Sequence, residues 1–278
     1  MSTATPIKTN PKVEMFPPFL PNLPIDDGEP LETNRHRIAM NALIDSVKRL
    51  FQRRKYTDYF TGGNMFIFYP EFQTQKKKYR GPDFFAVLEI DGSYSREYWH
   101  GPLENNRYPD VIIELTSDTT IEDDLAAKKD IYKQIFKTDE YFVFDLKKSH
   151  SLQGWRLKNN RYQPIKSNQQ GWLWSERLSL WVGIWYGVIS YEPPQGECVW
   201  LRFYDQDKQL VLLPEEYERQ ERQEKEWALR QASLERKRKE WAQRETSLER
   251  QRADQEQERA DKLAEKLRAL GINPDEIA

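Results

Sequence analysis

The chain has 278 residues, with 43 Lys and Arg against 45 Asp and Glu, a formal net charge of -2 and a single cysteine. That balance excludes a general electrostatic attraction to nucleic acid, so any phosphate binding must be local. Cys198 alone excludes an internal disulfide framework and a four-cysteine zinc site, and it fits a reducing compartment.

The length suits one domain with a real core plus an appendage. No stretch approaches the roughly 18 apolar residues of a membrane span, and the first ten residues lack a basic stretch followed by an apolar one. The expectation is a cytoplasmic protein with no membrane partner.

Residues 1–30 carry Pro17, Pro18, Pro21 and Pro24 among a few apolar side chains, which reads as an extended arm. From residue 31 the pattern changes. His36, Met40, Leu43, Val47 and Leu50 recur at spacings of three and four, with Thr33 or Asn34 available as an N-cap, and predict a helix over 34–51. One domain is expected over 31–213.

Beyond that helix the period shortens. Residues 64–70, 83–90, 111–116 and 141–146 are dense in Ile, Val, Phe and Tyr and predict strands, with Gly62-Gly63, Gly81-Pro82 and Asp91-Gly92 as turn signals. The basic run Lys76, Lys77, Lys78 and Arg80 precedes Gly81-Pro82, and it reads equally as a solvated loop or as a DNA-contacting one. Residues 123–137 place Leu125, Ile131, Ile135 and Phe136 among Lys and Asp, a helix joining two strands. Strand, helix and strand make a crossover unit with parallel strands, so the fold class is α/β or α+β.

Hairpins are expected at 152–157 with 161–165, around Asn159-Asn160, and at 199–204 with 209–213. Trp172, Trp174, Trp181 and Trp185 could offer a base-stacking surface, but with few basic residues between them packing is the favoured use.

At Pro214 the composition shifts: residues 215–270 hold equal numbers of acidic and basic residues without Gly or Pro, predicting a long charged helix or coiled coil within a tail over 214–278. The segment from Glu226-Trp227-Ala228 to Glu235-Arg236 recurs fourteen residues later as Glu240-Trp241-Ala242 to Glu249-Arg250. Trp227, Leu234, Trp241 and Leu248 thus keep a seven-residue spacing. The second core position of each heptad is polar, so a homodimer, another protein partner and a solvated helix held by ion pairs all stay open. Nearer the end Ala260, Leu263, Ala264, Leu267 and Leu270 form an apolar stripe, with Gly271 placed as a C-cap.

Two carboxylates stand beside or inside apolar runs: Asp83 after Gly81-Pro82, and Glu114 within Val111-Ile112-Ile113-Glu114-Leu115. An ionised carboxylate there is costly unless it is paired or metal-bound. Two acids from adjacent strands are enough for Mg²⁺, which keeps several waters. Such an ion can activate a water and offset charge on a phosphodiester, and a nearby lysine would assist. Asp124, Lys128 and Tyr132 share one helix face at i, i+4 and i+8, while Lys129 points about 100 degrees away. Tyr132 reads as a packing residue, and His36, on the apolar face of the first helix, as a packed or hydrogen-bonded histidine, with an auxiliary site role possible for each, as for Asp124.

These residues carry a resemblance. Gly81-Pro82-Asp83, then Ile113-Glu114-Leu115-Thr116-Ser117 with Thr119-Thr120, then Asp124-x3-Lys128-x3-Tyr132, then Glu140-Tyr141-Phe142-Val143-Phe144-Asp145 together resemble the Uma family of "putative restriction endonucleases", itself similar to the PD-(D/E)XK nuclease superfamily. The resemblance runs from about residue 31 to residue 213. It implies a mixed sheet with flanking helices, Mg²⁺ or Mn²⁺ held by Asp83 and Glu114, Lys128 as the catalytic lysine, and DNA as the substrate. One departure stands out: Thr116 occupies the place, two residues after the glutamate, where the wider superfamily has a lysine. Asp110, after Pro109, is a competing metal ligand. The rival reading is the same fold without turnover, an interaction protein whose helical tail binds a partner or a second copy.

Overall fold

The computed structural model describes residues 23, 33–69, 79–116, 122–148, 150–189 and 198–271, and of residues 122–125 the backbone alone. The arm expected at 1–30 and the lysines Lys76, Lys77 and Lys78 therefore lie outside the described residues, apart from residue 23. The chain divides into two compact units, Met1–Glu215 and Glu216–Ala278.

The first unit opens with α1 (Asn34–Arg53). Thr33 is extended, and its Oγ1 accepts a hydrogen bond from the His36 N–H at 3.1 Å, satisfying one of the donors a helix start leaves open. The helix buries His36, Met40, Leu43, Val47 and Phe51, the three-and-four spacing expected of it.

Six strands follow in chain order: β1 (Tyr59–Gly62), β2 (Ile67–Phe68), β3 (Tyr79–Arg80), β4 (Phe84–Leu88), β5 (Trp99–His100) and β6 (Val111–Thr116). The strand expected over 64–70 shrinks to Ile67 and Phe68, the two residues that pair with neighbouring strands, and Asn64, with a left-handed φ of 48°, stands outside it. After β6 come α2 (Glu122–Ile131), a π-helical turn Tyr132–Phe136 and β7 (Glu140–Asp145). The expected single helix thus widens at Tyr132. It ends at Lys137, whose φ of 55° is left-handed and whose N–H bonds the Tyr132 carbonyl.

β8 (Gln153–Lys158) and β9 (Arg161–Pro164) form the first expected hairpin, with Asn159 and Asn160 at φ 51° and 59° supplying the two left-handed positions of its turn. The Trp-rich stretch becomes β10 (Leu173–Ser175) and β11 (Leu180–Gly187), and β12 (Cys198–Tyr204) pairs with β11. The second expected hairpin is therefore reduced: 209–213 contributes a bridge between Tyr204 and Leu210 and a bond from Val211 N–H to Phe203, because the neighbour of β12 is β11. Trp172 stacks on Tyr204 at 3.8 Å and Trp174 meets Trp181 edge-on at 5.1 Å. Aromatic packing occupies these rings.

A six-stranded mixed sheet in the order β1-β4-β6-β7-β8-β9 is the frame, with β6 and β7 parallel and the other pairs antiparallel. The expected crossover is present. One face of the sheet, with Phe84, Ala86, Val111, Ile113, Leu115, Phe142 and Phe144, packs with α1 and the β10-β11-β12 sheet. The other, with Phe85, Val87, Ile112, Tyr141 and Val143, packs with Ile131, Tyr132 and Phe136 and with Ile67 and Trp99 of the small β3-β2-β5 sheet. Alternation along β6 puts Glu114 on this second face, in line with Ile112. An apolar side chain there would contribute roughly 1.5–3 kcal/mol, so a carboxylate at that position is a local cost.

The helical tail is α3 (Pro214–Ala269), which buries none of its residues. Pro214 stands at its start, where a missing N–H costs nothing. Gly271, at φ 81°, closes the end with a bond from its N–H to Arg268. Ion pairs four residues apart run along it, among them Arg236–Glu240 at 2.9 Å, Lys239–Glu235 at 2.8 Å and Lys262–Glu258 at 2.6 Å. Each exposed pair of this kind contributes a few tenths of a kcal/mol. Trp227, Leu234, Trp241 and Leu248 are all at least half exposed. Among the described residues no helix is long and apolar enough to cross a membrane.

Candidate active site

The site lies at the end of the main sheet where β4 begins and β6 finishes, as the pairing of Phe84 with Ile113 sets. Asp83 immediately precedes β4. Its backbone is fixed from outside, since Asn64 N–H bonds the Pro82 carbonyl at 2.9 Å, and a Cβ on Gly63 would meet the Asp83 carbonyl at 2.2 Å. Only glycine permits that approach. The Asp83 side chain then bridges two elements. Its Oδ1 lies 2.5 Å from His36 Nε2 on α1, and its Oδ2 accepts from the Leu115 N–H of β6 at 2.7 Å.

Glu114 is 2% exposed and has a partner at each oxygen. Tyr132 OH donates to Oε1 at 2.6 Å, and Lys128 Nζ donates to Oε2 at 3.2 Å. The helical face expected from the spacing of Lys128 and Tyr132 thus converges on this one carboxylate. Burial pushes Glu114 up to about 7, with the Asp83 charge adding to the rise and Lys128 and Tyr132 opposing it. Burial, together with the Glu114 charge, holds the Tyr132 phenol well above its ordinary value.

His36, Asp83, Glu114, Lys128 and Tyr132 therefore form one connected constellation. The packing role expected of Tyr132 is incomplete: it is fully buried, yet its hydroxyl holds Glu114. His36, expected to be packed or hydrogen-bonded, is both, buried on α1 and bonded to Asp83. A helical period reports which face is buried, not which polar atom on that face has a partner. Asp124 belongs to α2, with its side chain outside what is described. Lys129 points away, its Nζ 3.2 Å from the centre of the Trp155 ring.

Asp110 is engaged elsewhere. It stands just before β6, where Oδ2 accepts from Leu88 N–H at 2.7 Å and Oδ1 from Arg177 Nη2 at 2.7 Å. Arg177 also reaches Asp139 at 3.2 Å, and nearby Glu140 takes Arg156 at 2.9 Å and the Ser175 hydroxyl. This network ties the β10-β11 hairpin to the starts of β6 and β7, the opposite end of those strands from Asp83.

Asp83 and Glu114 offer hard oxygen donors, and the charge on one raises the proton affinity of the other, a repulsion that a divalent cation between them would relieve. Among the described residues no group of three or more His, Cys, Asp or Glu is placed to hold a metal. Two carboxylates nonetheless suit Mg²⁺, which fills its remaining positions with water and substrate oxygens.

A family model described as "Putative restriction endonuclease", Uma2, matches residues 20–192. The chain belongs to that family. Among solved structures it is similar to a "putative nuclease belonging to DUF820" from Anabaena variabilis ATCC 29413, with a TM-score of 0.40 and 8% identity over 54% of this chain and 76% of that chain. A comparison with curated proteins found no match.

Proposed function

We propose that the chain is a divalent-metal-dependent endonuclease that hydrolyses DNA phosphodiester bonds. The observation that carries this reading is the convergence on Glu114 of Lys128 and Tyr132 beside Asp83, at the end of the sheet. Family membership supports the reaction class. Asp83 and Glu114 would hold Mg²⁺ or Mn²⁺, which when bound lowers the pKa of a water and offsets phosphate charge.

The chain's own residues divide the remaining work. His36 and the Leu115 N–H fix the Asp83 carboxylate in one orientation. Tyr132 fixes one Glu114 oxygen, while Lys128, whose side chain is partly exposed, would turn to the attacking water or the scissile phosphate. Lys128 thereby takes the place of the lysine that Thr116 displaces from β6. Hydrolysis joins the water oxygen to phosphorus and breaks one ester bond, giving a phosphate monoester and an alcohol. The lone cysteine supports a cytoplasmic setting for the protein.

A second reading has its own observation. The 56-residue α3 buries no residue and presents two tryptophans and two leucines in register, a surface suited to a protein partner or a second copy. In that reading the nuclease fold is silent. Supercoiled plasmid incubated with Mg²⁺ or Mn²⁺, with and without EDTA, separates the two: nicking confined to the metal-containing samples supports the enzyme, and intact plasmid throughout supports the interaction protein.

A further inference from the structure

Four arginines of the first unit meet carboxylates, while Arg35 and Arg202 donate instead to backbone carbonyls elsewhere in the fold. Arg96 meets Glu104, Arg156 meets Glu140 and Glu176, and Arg107 and Arg177 both meet Asp110. Arg80 differs. It is half-buried on β3, and among the described residues its one hydrogen bond runs from Nη1 to the neighbouring Tyr79 carbonyl at 2.9 Å, with no carboxylate in reach. A partly desolvated guanidinium without an anion is unfavourable, and its planar fork of donors matches a phosphate.

Its position gives that anion an address. Arg80 pairs with Ile67 of β2, and only Gly81 and Pro82 separate it from Asp83. Tyr69, just past β2, packs against Phe136 at 5.6 Å between ring centres, and Phe136 lies 5.4 Å from the ring of Tyr132. The Arg80 charge is felt at both phenols, where it opposes the upward push of burial. One of these phenols is the group bonded to Glu114.

We infer that Arg80 grips a backbone phosphate of the nucleic acid next to Glu114, so that the site carries a substrate-binding cation separate from Lys128. The inference rests on the nuclease reading and names the residue that would hold its substrate. In a chain with a net charge of -2, one such cation weighs heavily in binding. It acts by binding the phosphate, so its signature is a salt dependence.

Fluorescence anisotropy of a labelled duplex and a labelled single strand, in EDTA so that nothing is cut, measures the slope of log affinity against log salt. Arg80→Gln is expected to lower that slope by about one relative to the unaltered chain, Arg80→Lys to keep it, and Lys158→Gln, an exposed change on β8, to leave it alone. As a check independent of any variant, the Arg80 Nε resonance of the unaltered chain shifts when the oligonucleotide is added. Binding by the unaltered chain with an unchanged slope in Arg80→Gln, or an unmoved Nε resonance, overturns the role of Arg80 and leaves the nuclease reading standing. Failure of the unaltered chain to bind either oligonucleotide overturns the role of Arg80 as well, while the nuclease reading, which needs the metal, is decided by the plasmid assay.

Discussion

Lys128 reaches back from α2 to Glu114 on β6, Nζ to Oε2 at 3.2 Å, while its neighbour Lys129 lies over Trp155 on another side of the same helix. Adjacent lysines thus face different chemistry. Lys128→Met should lower turnover by orders of magnitude with little change in metal affinity. Lys129→Met should keep turnover and lose roughly 0.5–1 kcal/mol of stability from its contact with the ring. Steady-state cleavage rates beside melting curves check both. Equal loss of turnover in the two variants would remove the geometric argument.

Glu114 predicts a pH dependence of stability. Its ordinary value is 4.5 and burial lifts it to about 7 in the fold, so the folded state binds more protons than the unfolded chain between these values. Its contribution is therefore most favourable at the acid end of that window and declines as pH rises to about 7. At about 1.4 kcal/mol per unit this amounts to about 3–4 kcal/mol at most. Glu114→Gln should flatten the decline and raise the melting temperature at pH 8 relative to the unaltered chain, measured without metal. An unchanged pH profile in the variant would assign the dependence to other groups.

Metal affinity should follow the same two acids. Titration calorimetry with Mn²⁺ is expected to show binding to the unaltered chain and at least tenfold weaker binding to Asp83→Ala and to Glu114→Ala. Asp110→Ala should bind Mn²⁺ normally and instead lose roughly 1–3 kcal/mol of stability, since it leaves the buried Leu88 N–H unpaired and Arg177 without its closest carboxylate. The reverse pattern would move the metal to Asp110.

Much of this was legible in the sequence, for reasons that differ by residue. The apolar run from Val111 to Leu115 gave β6, and the polar residue inside it gave Glu114 as a group in need of partners. Spacing along α2 gave Lys128 and Tyr132 one face. What stayed hidden depends on contacts distant in sequence: the His36–Asp83 bond joins residues 47 positions apart, and the short β2, β3 and β5 exist only because they pair with one another. The sequence favours Asp83, which precedes a full apolar run, but leaves Asp110 as a rival. Both follow proline, and the difference lies in Arg177, 67 positions beyond Asp110.

The tail yields a further expectation. A chain ending at Pro214 should stay folded and keep any cleavage activity, because among the described residues the buried apolar ones all precede that point and α3 buries none. Light scattering of the full and shortened chains then shows whether Trp227, Leu234, Trp241 and Leu248 carry association. A mass that drops to the monomer on shortening assigns a dimer to α3, whereas unfolding of the shortened chain would show that the first unit depends on the helix.

The central claim is that Asp83 and Glu114 together support metal-dependent cleavage. Plasmid nicking by the unaltered chain, measured in Mn²⁺ beside Asp83→Ala and Glu114→Ala preparations of matched circular dichroism, tests it most directly. The account predicts nicking by the unaltered chain that EDTA abolishes, and none above background from either variant. Nicking by Asp83→Ala at the unaltered rate would contradict it.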